Sequence, residues 1–280
     1  MDRAKKKPRS YADIAIEVFL FAIVIVILYP IYYLYVGSFK EPKIFYDPFA
    51  FPSHWYWGSF KIVFERVNIF RGFGNTFLVM GWSLLFIVLV GSFAGYAIAR
   101  VNHKLFKGIY YYFLSGMIVP LQATMIILFK LGVDLHLMDT RTFLVILYTA
   151  GSIPMSTLLY VGFMKSIPRE IEEAALIDGA GPIQSFMRIV FPLLMPATGT
   201  LLIINVTGIY NDFFTPLLYM RNEARMTLMP QIVQFYANKF SMDYGPVFAM
   251  SAMAVLPPIL FFAFTQKYMI KGLTAGSLKG

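Results

Sequence analysis

The carboxylates that could take part in specific recognition fall in two short stretches of this chain. The first stretch holds Glu170, Glu172, Glu173 and Asp178 and is closed by Gly179. Acidic residues in a first helical turn stabilise the helix through its dipole, and a following glycine can end it. A short acidic helix between two apolar segments stands where a membrane protein usually keeps a plain loop. The sequence therefore predicts that a partner binds this helix.

The second stretch is Tyr210-Asn211-Asp212, which lies well inside an apolar segment and four residues before Pro216. A proline leaves a backbone carbonyl without its helical partner, and both this carbonyl and a carboxylate are costly against lipid. These groups are expected to face a protein interior or a watery path. Two roles stay open, a structural hydrogen bond and direct contact with a passing solute, since the hydroxyls of a solute suit all three side chains.

Several kinds of chemistry are not supported by the sequence. The chain has no cysteine, and its three histidines, His54, His103 and His136, lack the spacing of metal ligands. It contains no Gly-x-x-x-x-Gly-Lys-Ser/Thr run for nucleotide phosphates and no His, Asp and Ser cluster suited to hydrolysis. We therefore predict neither a metal site, nor a nucleotide or cofactor site, nor an enzyme.

The composition places the chain in a bilayer. Of its 280 residues 58% are hydrophobic, 18% are aromatic and only 14% are charged, and the mean hydropathy is +0.65. This leaves too little polar surface to cover a water-soluble globule of the same size. The net charge of +9 is typical of the basic excess on cytoplasmic loops and does not indicate nucleic-acid binding.

Six apolar stretches approach the roughly 20 residues that a transmembrane helix needs. The first exceeds the apolar region of a signal peptide and is expected to remain as an anchor. The predicted spans are Ile14–Val36, Thr76–Ala99, Ile109–Phe129, Phe143–Phe163, Thr198–Met220 and Val247–Gln266. They predict an all-α integral membrane fold with outward loops at Gly37–Gly74, Lys130–Thr142 and Arg221–Pro246.

The orientation follows from the basic residues of the short loops. Residues 1–12 carry the densest cluster, made of Arg3, Lys5, Lys6, Lys7 and Arg9. Since basic residues concentrate on the cytoplasmic side, both termini are predicted to be cytoplasmic. We expect a single transmembrane domain over 1–280, with an anchor helix and outward loop at 1–70, a core at 71–266 and a cytoplasmic tail at 267–280.

The local signals around the acidic stretch predict two short helices. Ser166 is a suitable N-cap and Pro168 suits a first turn, so the first helix is expected to run about eleven residues to a left-handed Gly179. The second helix is expected to start at Pro182, to fold back on the first and to stop before Pro192. A plain interfacial hairpin that connects two spans is the alternative.

The stretch Ile167-Pro-Arg-Glu-Ile-Glu-Glu-Ala-Ala-Leu-Ile-Asp-Gly-Ala180 resembles the EAA loop of binding-protein-dependent ABC importer permeases. In that family the loop forms a coupling helix that seats in a cleft of a cytoplasmic ATPase subunit. The resemblance implies that the residues that contact the ATPase are Glu170, Glu172, Glu173, Ala174, Ala175, Asp178 and Gly179. Gly181-Pro182 departs from the family pattern, which more often has a polar residue and an aromatic there.

Further stretches are similar to carbohydrate-type permeases, and closest to the maltose-type second permease subunit. Tyr210-Asn-Asp-Phe-Phe-Thr-Pro-Leu217 resembles a family signature, and Lys271–Gly280 resembles the family ending. Asn75-Thr76 and Val119-Pro-Leu-Gln122 also fit, so the resemblance covers the chain from about residue 70 onward. The outward stretch Leu131–Asp139 is unusual for the family.

The resemblance implies a type I ABC importer fold and a permease subunit that moves a sugar or oligosaccharide into the cytoplasm. The expected partners are a second, homologous permease subunit, two ATPase subunits that bind ATP and magnesium, and an extracytoplasmic solute-binding protein that docks chiefly on Arg221–Pro246. The expected location is the cell membrane, and Tyr210, Asn211 and Asp212 are the candidate solute-path residues. The alternatives are an ABC importer for a non-sugar solute, a secondary transporter or channel, and a membrane scaffold without transport.

The first outward loop carries Trp55 and Trp57. Tryptophan is typical of the membrane interface, where its amphipathic ring lies among lipid headgroups. Stacking on a sugar would instead require these rings to line the translocation path. Both roles are kept as hypotheses.

Overall fold

A computed structural model describes residues 10–47, 49–237 and 244–277 of the chain. Over these residues the regular elements are all helical, as the composition predicts. The basic cluster between Arg3 and Arg9 and the last three residues of the predicted tail lie outside the described residues. The helices are α1 Tyr11–Ser38, α2 Gly58–Arg66, α3 Ile69–Arg100, α4 Lys104–Gly116, α5 Leu121–Asp134, α6 Arg141–Met164, α7 Glu170–Ile177, α8 Pro182–Ser185, α9 Phe191–Leu193, α10 Met195–Asn211, α11 Phe214–Tyr219, α12 Leu228–Ala237 and α13 Gly245–Ser277.

By length and composition, four helices among the described residues can cross a membrane. They are α1, α3, α6 and the Gly245–Gln266 part of α13. A fifth crossing results if Pro182–Leu193 and Met195–Asn211, which are bent by 71° against each other, form one span. Within the described ranges, six unbroken spans as predicted from the sequence are not found.

The predicted third span, Ile109–Phe129, is divided between two helices. α4 ends at Gly116, and α5 begins at Leu121 directly after Pro120. Proline cannot donate a backbone hydrogen bond and disfavours the helical conformation in the residue before it. The break therefore follows from Val119-Pro120, and α5 continues to Asp134 inside the stretch predicted as an outward loop.

The predicted fifth span, Thr198–Met220, is also interrupted. α10 ends at Asn211, and Asp212 takes an extended conformation with φ −72° and ψ 117°. The chain becomes helical again at Phe214, and Pro216 lies in the first turn of α11. In that turn a missing amide hydrogen removes no helical bond, so the interruption accommodates the proline.

The chain divides into two compact units. One lies within Met1–Asn68 and Phe235–Val255, and the other within Ile69–Gln234 and Leu256–Gly280. In the first unit the ring of Phe39 contacts Trp55, Trp57 and Phe60 at centroid distances of 4.9, 5.0 and 4.9 Å. Trp55 and Trp57 remain 54% and 62% exposed, so the interfacial and sugar-stacking hypotheses both stay open.

In the second unit, α3 packs closely along α6. A methyl group at Gly91 would lie 2.7 Å from the Cβ of Ser156, and one at Gly95 would lie 2.6 Å from the Cβ of Tyr160. Only hydrogen fits at these two positions, so the Gly91-x-x-x-Gly95 face is a site of close helix packing. Tyr160 is fully buried in this contact.

The other end of α3 holds the segment between α11 and α12. The Asn75 amide donates to the carbonyls of Ala224 at 3.1 Å and Met226 at 2.8 Å. The Thr76 hydroxyl accepts from the Leu228 amide at 2.9 Å. Two adjacent side chains thus satisfy the backbone at both sides of the turn into α12.

The unusual stretch Leu131–Asp139 is explained by a second contact with the same segment. Asp139 has a left-handed φ of 60°, and its carboxylate accepts from the amides of Arg221 and Asn222 at 3.0 and 2.8 Å. Asp is among the few residues that tolerate this backbone conformation. The segment 221–228 is therefore held from both sides.

Candidate functional site

The acidic loop is built by α7 and the turn that closes it. Gly179 has a φ of +86°, as the sequence predicts. Its amide donates to the carbonyl of Leu176 at 3.1 Å, and the amide of Ala180 donates to that of Ala175 at 3.0 Å. This pair of bonds is the Schellman motif, which needs a left-handed residue after the helix and satisfies its last carbonyls.

The start of α7 differs from the prediction. Ser166 does not cap it, because its hydroxyl donates to the Phe163 carbonyl at 2.7 Å and ends α6. α7 begins only at Glu170, after Arg169, whose carbonyl accepts from the amides of Glu172 and Glu173. The helix therefore has eight residues instead of about eleven.

The four carboxylates of the loop divide into one inward and three outward groups. Glu172 is only 7% exposed, whereas Glu170, Glu173 and Asp178 are exposed. The Glu172 Oε1 accepts from the Arg100 Nε at 2.6 Å, and its Oε2 accepts from the Tyr96 hydroxyl at 3.1 Å. Glu172 thus binds the loop to the end of α3, and a partner would meet the other three.

The exposed side of the loop is apolar as well as acidic. Ile177 is 86% exposed and Ile183, just after the turn, is 72% exposed, while Leu176 and Met187 are about half exposed. Ala175 is buried, whereas Ala174 is exposed. An exposed apolar patch rimmed by polar side chains is typical of a surface that a protein partner or a membrane covers.

The second predicted helix starts at Pro182 as expected, but it changes form after one turn. Phe186–Val190 is a π-helical turn, followed by α9, which reaches Leu193. Phe186 is almost fully buried, and its ring lies 4.7 Å from that of Phe93 and 4.8 Å from that of Tyr96. The second helix therefore packs on α3 next to the ion pair.

Asp212 is fully engaged at the helix break. Its Oδ1 accepts from the amides of Phe214 at 2.9 Å and Thr215 at 3.1 Å, and its Oδ2 accepts from the Tyr148 hydroxyl at 3.0 Å. A carboxylate before a helix satisfies the free amides of its first turn. Asp212 therefore makes the structural hydrogen bonds of the first hypothesis, and its contact with a solute stays a prediction.

The three residues predicted to line one path do not lie together. Asp212 lines a cavity of about 770 Å³ between α4, α5, α6 and α10. Tyr210 and Asn211 line another cavity of about 280 Å³ against Phe77 and the Pro257-Pro258 part of α13. Asn211 is the last residue of α10 and Asp212 is already extended, so the two neighbouring side chains point into different cavities.

The larger cavity contains polar groups that sequence reasoning missed. The Ser152 hydroxyl donates to the Asn205 amide oxygen at 2.7 Å, and both residues line the cavity with Tyr148. An amide in the middle of the apolar α10 is a signal that could have pointed to Asn205. Among its described lining residues Asp212 is the only formally charged one.

No metal site accompanies these features in the part of the chain that the structure describes, where no group of three or more His, Asp or Glu side chains is placed to hold an ion. The loop offers carboxylates to a partner, and the cavity offers hydroxyls, an amide and aromatic rings. The groups of the loop suit the binding of a partner, and those of the cavity suit the binding of a polar molecule.

The family profile described as binding-protein-dependent transport system inner membrane component matches residues 87–274. This chain belongs to that family. This transport component is therefore a multi-pass inner-membrane protein, as its apolar helices indicate. The predicted resemblance to binding-protein-dependent importer permeases is confirmed, while the coupling role of the acidic loop stays a prediction.

Individual proteins agree with the family assignment. The transport component is 34% identical over 252 residues to the melibiose/raffinose/stachyose import permease protein MelC of Bacillus subtilis, covering 90% of this chain and 91% of that protein. It is 34% identical over 260 residues to the multiple sugar-binding transport system permease protein MsmG of Streptococcus mutans, covering 91% and 93%.

The fold of the transport component is that of solved ABC importers. It matches a chain in the crystal structure of a bacterial ABC transporter that imports the acidic polysaccharide alginate, with a TM-score of 0.80, 22% identity and coverage of 94% and 99%. A second match, with a TM-score of 0.61 and 18% identity, is to that transporter in complex with a periplasmic protein bound to an alginate pentasaccharide. The match at residues 87–274 includes the acidic loop and the candidate solute-path residues Tyr210, Asn211 and Asp212.

Proposed function

We propose that this transport component is one of two permease subunits of an ABC importer for a sugar or oligosaccharide. A separate ATPase subunit binds ATP and magnesium and drives the import. The observation that carries the proposal is the exposed face of the acidic loop, where the exposed Ile177 follows the exposed Glu173 by one helical turn and the exposed Ile183 comes just after the loop's closing turn.

This face is proposed as the surface that binds the ATPase. Glu170, Glu173 and Asp178 supply its polar contacts, Ala174 supplies a small apolar one, and Ile177 enters an apolar cleft. Gly179 sets the direction of the chain as it leaves the surface. Ala175 and Glu172 are both buried within the subunit, and they hold the helix in place. Of the residues that the resemblance assigns to ATPase contact, these two therefore support the helix and do not touch the ATPase.

A transmembrane topology of six spans remains part of the proposal. Taken together, α4 and α5 form a third crossing broken at Pro120, and α10 with α11 forms a fifth crossing broken at Asp212. With α1, α3, α6 and α13 this gives an even number, so both termini are cytoplasmic and the acidic loop faces the ATPase. The segment 221–228, held by Asn75 and Asp139, then faces outward, where a solute-binding protein docks.

The proposed solute path follows the larger cavity. Its aromatic rings and its hydroxyl and amide groups match the apolar faces and hydroxyls of a sugar. Tyr148, Ser152 and Asn205 are the proposed contact groups, and Asp212 positions Tyr148. Tyr210 and Asn211 line the smaller and more apolar cavity, which is proposed to face the second permease subunit.

Support for a sugar comes from relatives whose names specify melibiose, raffinose and stachyose import and multiple sugars. Support for a docking solute-binding protein comes from the solved transporter in complex with a periplasmic protein. Support for a second permease and two ATPase subunits comes from the family, whose systems depend on separate components.

The test is reconstitution of the co-purified complex in liposomes with radiolabelled raffinose and stachyose as probes. Uptake that requires both ATP and a binding protein is expected. Uptake of either sugar without ATP would favour a secondary transporter. ATP-driven uptake of other solutes alone would remove the sugar assignment and keep the importer.

A further inference from the structure

The inner end of α3 is clamped to the acidic loop by a buried ion pair. The side chains of Arg100 and Glu172 are 12% and 10% exposed. Besides Glu172, the Arg100 guanidinium also donates to the Ile167 carbonyl at 3.1 Å, directly before the loop. Phe186 adds an aromatic contact with Tyr96 at 4.8 Å on the other side of the loop.

The opposite end of α3 is clamped to the segment 221–228. Asn75 is 4% exposed and Thr76 is 2% exposed, and their side chains bind the backbone of Ala224, Met226 and Leu228. These are hydrogen bonds to main-chain atoms, so they hold the course of the chain itself and not a single side chain.

The two clamps are joined by one unbroken helix. α3 has 32 residues, which corresponds to a length of about 48 Å. The segment contains no proline, and its Gly91 and Gly95 lock it against α6 without a gap. α3 is continuous over its whole length, and packed interfaces transmit displacement because they are not easily deformed.

We propose that α3 is a strut that joins the ATPase-facing loop to the segment facing the binding protein, with Arg100–Glu172 and Asn75 as its two fixing points. This inference rests on the proposed function. Movement of the loop displaces Arg100, because the buried Glu172 carboxylate cannot leave this ion-pair partner without a large desolvation cost. The same displacement of the rigid helix carries Asn75 and therefore the segment 221–228. Arg100, Glu172 and Asn75 are positioning residues of this coupling.

The absence of cysteine allows a direct test. Glu223 is exposed within the outward segment, so Glu223→Cys can carry an environment-sensitive bimane label in the co-purified transporter. The fluorescence change on adding AMP-PNP and magnesium then reports whether the nucleotide state of the ATPase reaches this segment. In the labelled transporter that carries Glu223→Cys and no other substitution, AMP-PNP and magnesium are expected to change the fluorescence.

Arg100→Met is expected to reduce this nucleotide-induced change about ten-fold, which is within the usual range for coupling between two sites. Asn75→Leu, at the opposite end of α3, is expected to reduce the nucleotide-induced fluorescence change by a similar factor. Lys104→Met is the matched control, because it removes a neighbouring exposed charge and leaves both clamps intact; it should keep the full change.

Each outcome decides the proposal. A full fluorescence change in Arg100→Met overturns the strut, as does the lack of any change in a parent protein that imports sugar with ATP. If the transporter shows no ATP-driven uptake, the proposed function fails first. If Arg100→Met does not assemble, Glu172→Gln is measured, since it keeps a hydrogen-bond acceptor but removes the charge; a full change in that variant also overturns the strut.

Discussion

The acidic loop and the helix break at Asp212 use adjacent polar residues in different ways. In the loop, Glu172 points inward to Arg100 and Glu173 points outward, so one helical turn both holds the loop and presents it. At the break, Asp212 closes a helix and lines one cavity, while Asn211 lines another. Adjacent polar residues therefore need separate assignments even within one motif.

The largest expected difference in stability is between variants of the two adjacent glutamates of the loop, Glu172 and Glu173. Glu172→Ala leaves the Arg100 guanidinium buried without its carboxylate, which typically costs about 3–5 kcal/mol. Thermal unfolding of the purified protein in detergent should show this loss. Glu173→Ala changes an exposed side chain and should alter stability by less than about 0.5 kcal/mol, while it lowers binding-protein-stimulated ATP hydrolysis.

Equal stability losses in these two variants would contradict the division of the loop into an inward and an outward carboxylate. A stability loss confined to Glu173→Ala would reverse it.

The next effect separates the two polar residues of the break. Asp212→Ala removes an acceptor that serves Tyr148 and two backbone amides, and hydrogen bonds to a charged group contribute about 1.5–3 kcal/mol. Asn211→Ala removes a bond to the Thr207 carbonyl of its own helix and should cost less than half as much. Unfolding midpoints of the two variants give the comparison.

Asp212→Asn is the control for this pair, because an amide oxygen can still accept from Phe214 and Thr215. It should recover most of the stability lost in Asp212→Ala. If Asp212→Ala is as stable as the parent but loses transport, the carboxylate contacts the solute and the structural role is wrong.

A smaller effect is expected at the end of the loop. Gly179→Val forces a β-branched residue into a left-handed conformation, which costs about 1–2 kcal/mol for a residue with a Cβ, and should weaken ATPase binding or uncouple hydrolysis from uptake. Gly181→Val is its matched control, since Gly181 has a φ of −69° and open space around it. Co-purification of the ATPase with each variant measures the difference, and equal yields would remove the role of Gly179.

Local signals in the sequence predicted those parts of the loop that depend on local geometry. The left-handed Gly179 and the helix start at Pro182 follow from residue type and short spacing. The pairing of Arg100 with Glu172 joins positions 72 residues apart, and no local pattern specifies which of several carboxylates turns inward.

The misplacements have similar causes. Ser166 has the residue type of an N-cap but ends the preceding helix, because its hydroxyl reaches a carbonyl one turn back. The third span was predicted as continuous from its hydropathy, although Pro120 is a signal for the break. Tyr210, Asn211 and Asp212 were grouped because they are adjacent, and the direction of each side chain is decided by where α10 ends.

A cross-link from Ile177 tests most directly whether a partner ATPase binds the exposed face of the loop. In this cysteine-free chain, Ile177→Cys can be modified in native membranes with a photoreactive thiol reagent, and the products identified by mass spectrometry. Ile25→Cys on α1, also exposed, serves as the control for lipid contact. We expect a covalent adduct between position 177 and a nucleotide-hydrolysing subunit. Adducts with lipid alone at both positions would contradict binding of an ATPase to the loop.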